Sequence, residues 1–334
     1  MMRVAGWIRP RVVLAAAALA AVTWALWPGD RPVPVPAPAD PAAATAAREA
    51  DREAAREAAT AADVAPGAGD PNAAVSPPAA PEPLLPGTPP AWLAYAAPFA
   101  PQGSRAMVAI VIDDLGLDLA FAERAIRLPA AVTLSWFPYG HDLPRLTEAA
   151  RAQGHELLVH MPMEPFAGDQ DPGPDALLTS LPAHEVRARL ARNLSHFSGF
   201  VGINNHMGSR FTSDARAMMP VVDELSARGL LFLDSRTTGS SIAADLARLA
   251  QVPTAVRDVY LDHDPDRAAI RARLGEIEAI AQRRGHVVAI GHPKPGTFAE
   301  LEPWLAALSG RGLVLAPLSA IVRRDEERRV AHRP

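Results

Sequence analysis

The chain contains no cysteine. Disulfides and thiolate metal sites are therefore excluded, and any bound metal must be held by His, Asp, Glu or backbone oxygen. A concentrated basic stretch is also missing from the C-terminal two-thirds, and the net charge is -4 over 334 residues. Nothing there would track a phosphate backbone, so nucleic acid is not an expected partner. Bulky apolar residues are scarce between 31 and 103, where Pro and Ala dominate. That composition cannot offset chain entropy by burial and reads as a disordered tether. Within it, 42–62 interleaves alanine with Arg48, Glu49, Arg52, Glu53, Arg56 and Glu57, whose i to i+4 pairs favour a short solvated helix.

A full-length apolar span is lacking as well. The run at 12–27, about 16 residues, is short for a membrane helix and long for a signal core. Arg3, Arg9 and Arg11 precede it, and Trp24 and Trp27 suit a membrane interface. Residues 1–30 therefore read as an export signal, either an uncleaved anchor in the inner membrane or a signal peptide cleaved near Ala20 and Ala21. Both place the body outside the cytoplasm, on the periplasmic side. Nothing in the sequence fixes the oligomeric state.

From 104 to 324 the pattern changes, and roughly 220 residues suffice for one substantial core. The charged residues 325–334 read as a flexible tail. Short apolar runs at 108–112, 132–136, 156–159, 200–203, 230–233, 254–257, 287–290 and 313–315 alternate with helix-compatible stretches at 141–153, 184–197, 214–228, 265–284 and 298–308. That alternation predicts an α/β fold, an irregular (β/α) barrel of seven or eight parallel strands. Ser213 is expected to cap the third of these helices, and Gly154, Gly229 and Gly285 to end their own.

Polar residues follow the predicted strands: Asp113 and Asp114, then His160, then Asn204, Asn205 and His206, then Asp234 and Arg236, then His292. Strand C-terminal ends of a β/α barrel open on one face, so these groups are expected to converge there. Adjacent carboxylates at 113 and 114 repel, and a cation would relieve that. Because successive strand residues point to opposite sides, one acid is free to ligate while the other hydrogen-bonds or acts as base. His160, followed by Pro162 and Pro165, suits zinc as a neutral imidazole, and His206 is the second imidazole candidate. Glu164 reads equally as a further ligand or a rim charge. Asn204 and Asn205 read as loop scaffolding, the Asp234–Arg236 pair as orienting another site residue, and His292 as a general acid.

The motifs Ile112-Asp113-Asp114, Gly154-His155-Glu156 leading to His160-Met-Pro-Met-Glu-Pro165, Asn204-Asn205-His206-Met-Gly-Ser209, Asp234-Ser-Arg-Thr237 and Gly291-His292-Pro293 together resemble the divergent polysaccharide deacetylase family. The resemblance covers about 105–322 and extends to the carbohydrate esterase family four deacetylases. It implies a metal-dependent removal of acetyl groups from an envelope polysaccharide such as peptidoglycan. It also implies Asp113 as general base, Asp114, His160 and His206 as ligands of a divalent ion, expected to be Zn2+, and His292 as general acid supported by Asp234 and Arg236. One departure stands out: the related enzymes carry a second histidine four residues after the first, where this chain has Glu164, so His206 takes the vacant role. The alternative reading is a non-catalytic, metal-containing envelope protein that binds glycan or a cell-wall partner.

Overall fold

Strand β1 (Ala106–Leu115) is apolar on both faces. Val108, Ile110 and Ile112 join one hydrophobic cluster while Met107, Ala109 and Val111 join another, the signature of a parallel strand buried on both sides. In this computed structural model the described residues are 89–331 except 102 and 104. The export segment, the 42–62 helix and most of the tether lie outside them. No helix among the described residues is long and apolar enough to cross a membrane.

Eight further strands complete the sheet: β2 (Thr133–Trp136), β3 (Glu156–Met163), β4 (Gly202–Met207), β5 (Leu231–Asp234), β6 (Thr254–Val256), β7 (Val259–Tyr260), β8 (His286–Gly291) and β9 (Leu313–Leu315). All pairs are parallel, in the order β6-β5-β4-β3-β2-β1-β8-β7, with β9 against the start of β1. The edge strands β6 and β7 are neighbours in sequence, separated only by Arg257 and Asp258. Arg257 N–H donates to Asp234 O and Asp258 N–H to Val288 O, so the chain steps directly from one edge of the curled half-barrel to the other. The expected barrel architecture is thus present. The two-residue strand β7 was not anticipated, because two residues carry no periodic signal.

Nine α-helices are described: α1 (Ala91–Ala94), α2 (Leu119–Ile126), α3 (Leu143–Ala152), α4 (Ala183–Leu194), α5 (Ala215–Arg228), α6 (Ala243–Leu249), α7 (Arg267–Arg284), α8 (Pro295–Ala307) and α9 (Leu318–Ala331). The cap of α5 is Asp214, whose carboxylate accepts from Ala217 N–H, and not Ser213. Gly229 and Gly285 end α5 and α7 in the left-handed conformation, as expected.

The inward residues Ala109, Val111, Leu158, Leu231, Leu233 and Ile290 share a core with Trp92 of α1 and with Leu318, Ile321 and Val322 of α9. These helices seal the N-terminal end of the strands. Two expected boundaries are corrected as a result. The packed chain begins before 104, since Trp92 is buried and donates its N–H to Gly229 O. The segment after 324 is not a flexible tail through its described part, since α9 continues to Ala331.

At this sealed end Glu156, at the start of β3, is fully buried. Its Oε1 accepts from Ser319 N–H at 2.9 Å and lies 3.5 Å from Thr133 Oγ1, and its Oε2 accepts from Ala97 N–H at 3.4 Å. Burial pushes its pKa up, against the lowering effect of these donors.

Candidate functional site

Alternation along the strands decides which polar residues face the barrel interior. On β8 the inward residues are Val288 and Ile290, which puts His292 on the same side. On β3 the inward residue is Leu158, which brings His160 in, and β4 pairs His160 with Asn204 and Pro162 with His206. On β5, Leu231 and Leu233 point inward and Phe232 outward. Ser235 therefore enters the site and Asp234 does not.

Asp113 has the inward parity of Ala109 and Val111. Asp114 reaches the same side because β1 is irregular here: Ile112 pairs with Leu134 but Leu115 with Trp136, one extra residue on β1. Asp114 adopts a left-handed backbone with φ 57°. A bulge re-aims a side chain in this way. It overrides the expectation that the two acids face opposite sides of the strand.

The result is a tight cluster. Asp114 Oδ1 lies 3.0 Å from His160 Nε2 and 3.2 Å from His206 Nδ1, and the two nitrogens are 3.2 Å apart. Tetrahedral zinc with bonds of about 2.0–2.1 Å would separate its ligand atoms by roughly 3.3 Å. Asp114 Oδ1 is also buried with no hydrogen-bond partner, the kind of orphaned acceptor a cation satisfies. The ring of Phe137 walls the cluster, 5.1 Å from His160 and 4.7 Å from His206 between centroids. The residues present fit a divalent ion held by Asp114, His160 and His206, which are grouped as a candidate metal site.

Asn204 organises the surroundings and is the largest correction to the sequence reading. It is a fully buried strand residue, not loop scaffolding. Its Nδ2 donates to both Asp113 oxygens at 2.9 Å and to Ser235 Oγ at 3.1 Å, and its Oδ1 accepts from Ser135 Oγ at 2.6 Å. The same Oδ1 is 3.1 Å from His160 Nδ1. With its oxygen fixed as acceptor, Asn204 accepts a hydrogen bond from His160 Nδ1–H, which leaves the Nε2 lone pair for the ion. Asn205 is likewise a buried residue of β4 and not loop scaffolding; its Nδ2 donates to Met207 O and its Oδ1 accepts from Ser235 N–H.

His292 is held by Asp262, which the sequence reading did not single out. Asp262 is fully buried, with Oδ1 2.8 Å from His292 Nδ1, and Oδ2 accepting from His292 N–H at 2.7 Å and Thr297 Oγ at 2.6 Å. His292 Nε2 then faces Asp114 Oδ2 at 3.9 Å. The expected support from Asp234 and Arg236 is not present. Asp234 instead accepts from Arg236 N–H and Ser241 Oγ, closing its own loop. Glu164 is not at the cluster either: it accepts from Thr179 N–H and Oγ at 2.6 Å and pairs with Arg210 at 3.3 Å.

Burial alone would raise the Asp114 carboxyl, but the contacting imidazoles of His160 and His206 and the charge of His292 hold it far below the usual range. For Asp113, burial dominates over the nearby histidines and pushes the carboxyl up. Burial would lower His292, yet the hydrogen bond and charge of Asp262, with Asp114 and Asp113, raise it above an ordinary histidine. A cavity of about 490 Å³ opens over the site, lined by Asp113, His160, Arg236, Arg257, Tyr260 and His292 among others.

Residues 110–322 match the divergent polysaccharide deacetylase family. The chain belongs to that family. Two similar proteins carry no assigned role: one from Haemophilus influenzae, 31% identical over 61% of this chain and 73% of its own length, and Uncharacterized protein YibQ of Escherichia coli K12, 33% identical over 58% of this chain and 61% of its own. The crystal structure of an uncharacterized protein from Agrobacterium tumefaciens C58 is 34% identical, with a TM-score of 0.68 over 70% of this chain and 95% of that one. Asp113, Asp114, His160, His206 and His292 all lie within the matched residues; Asp113, His160 and His292 line the cavity, and Asp114 and His206 cluster around His160.

Proposed function

We propose that this domain is a zinc-dependent deacetylase of an envelope glycan such as peptidoglycan, releasing acetate from N- or O-acetyl groups. The observation that carries the reading is the convergence of the Asp114, His160 and His206 ligand atoms beside an inward carboxylate, Asp113, and a carboxylate-held imidazole, His292. A divalent ion there supplies Lewis acidity toward a carbonyl oxygen and lowers the pKa of water. Asp113 takes the proton of the attacking water as its oxygen bonds the acetyl carbon, with Asn204 keeping the carboxylate in place. His292 delivers a proton from Nε2 to the leaving nitrogen or oxygen as the C–N or C–O bond breaks. Asp262 holds the ring and supports its positive charge. The products are acetate and a free amine or hydroxyl.

The envelope location rests on the basic-then-apolar N-terminus, and a reporter fused after residue 103 that works only when exported checks it. For the chemistry, full-length protein loaded with zinc is assayed for acetate release from acetylated glycan oligomers. Asp113→Asn should keep the metal and abolish acetate release. Bound metal with no acetate from any glycan would favour a binding protein without turnover, and no metal under replete conditions would overturn the site.

A further inference from the structure

Two pocket cations, Arg257 and Arg236, have no anionic partner within ion-pair distance among the described residues. Arg257, on the crossing from β6 to β7, donates from Nε to Ser235 O at 2.5 Å and from Nη2 to Arg236 O at 2.8 Å. These are neutral carbonyls, and they fix the guanidinium while leaving Nη1 uncommitted. Arg236 lines the same cavity from a left-handed backbone, φ 48°, and its exposed side chain makes no hydrogen bond or ion pair among the described residues. The acids whose charge reaches Arg257 are already engaged, Asp113 by Asn204 and Asp234 by Arg236 N–H and Ser241. Elsewhere on the wall the charges are matched: Arg273 pairs with Glu276 and Asp258 with Arg284, each at 2.6 Å.

Burial and the neighbouring Arg236 both act against the Arg257 charge, a cost that a bound anion would relieve. The guanidinium lies 4.9 Å from the centre of the Tyr260 ring, and that ring lies 5.2 Å from the His292 ring. The fork is thus fixed one aromatic ring away from the expected proton donor. Burial and the Asp262 charge push the Tyr260 hydroxyl up to about 12, so it adds a neutral donor to the same wall.

We infer that Arg257, with Arg236, forms a subsite for an oxyanion on the substrate, so that the site selects acylated sugars bearing a carboxylate or phosphate close to the acyl group. A rigid guanidinium fork matches either group in two-point contact. This rests on the deacetylase reading for its catalytic arm only.

The test uses full-length zinc-loaded protein and three acetylated oligosaccharides of equal length: neutral, carboxylate-bearing and phosphate-bearing. Binding is read by calorimetry and acetate release by kcat and KM. One or both anionic oligomers should bind about tenfold to hundredfold more tightly than the neutral one, the range for charge-assisted hydrogen bonds, and the winner names the anion. Arg257→Gln and Arg236→Gln should each erode that preference through KM or Kd, with Arg257→Lys restoring part of it. Arg236 braces nothing with its side chain, so its variant reads the subsite even if Arg257→Gln misfolds. If no oligomer releases acetate, the deacetylase reading fails, and calorimetric preference still decides the subsite. Equal binding of all three oligomers, or equal loss for all three in the variants, would overturn the inference.

Discussion

Strand β3 buries two polar groups, Glu156 where it starts and His160 in its C-terminal half, and the two ends of the sheet they mark are built to opposite rules. Glu156 has donors for both oxygens, from Ser319, Ala97 and Thr133, and ties α9 and the segment after α1 to the sheet. At the other end, Asp114 Oδ1 is buried without a hydrogen bond beside two imidazole nitrogens. A satisfied buried polar group holds a fold together, whereas an unsatisfied one next to lone pairs marks a place for a ligand. The sheet therefore keeps stability at its N-terminal end and chemistry at its C-terminal end, the division known from β/α barrels.

Substitutions that act on one end and spare the other would sharpen this division. The largest effect is expected from Asp114→Ala, His160→Ala or His206→Ala, each lowering zinc affinity by more than about 100-fold, since loss of outer partners alone costs about 10–100-fold. Chelator competition measures it, and full occupancy in all three variants would remove the assignment. Next comes Asn204→Ala, which strips Asp113 of its donor and His160 of its acceptor. Zinc affinity should fall about 10–100-fold and stability by about 1–3 kcal/mol, the one change expected to register at both ends of the comparison. Glu156→Ala should cost about 1–3 kcal/mol in urea unfolding by orphaning Ser319 N–H, with zinc affinity intact. A fall in zinc affinity there would show that the ends are coupled.

The smallest effect concerns pH. The folded pKa of Glu156 is raised above its unfolded value, so its contribution to stability is fully present below the ordinary glutamate range and is lost as pH rises through the raised value. Glu156→Gln should flatten that part of the stability profile. An unchanged slope would mean that other groups set it.

Much of this was legible in the sequence, for identifiable reasons. The apolar runs located every strand except β7, and the residues after them named the candidate metal ligands and His292. Three things were not legible. The β1 bulge that turns Asp113 and Asp114 to one side leaves no mark on composition. Asn204 resembled a loop residue because β4 continues past Ile203 through polar residues whose partners lie on other strands. Asp262 follows a strand too short to recognise, so the carboxylate behind His292 was sought at Asp234, whose parity sends it outward with Phe232. Arg257 did close a recognised run at 254–257, and the rule that found His160 would have pointed to it.

The left-handed backbone at Asp114 has a bearing on how this site can change by mutation. Few residues tolerate that conformation, chiefly Gly, Asn and Asp, and β-branched ones are strongly disfavoured. A library randomised at 114 and selected only for folding should therefore return a short list, of which Asp alone brings a negative charge to the two imidazoles. Asn, one base change from Asp in the genetic code, would preserve the bend while discarding the charge, so position 114 offers a single-step loss of the ligand that leaves the backbone undisturbed.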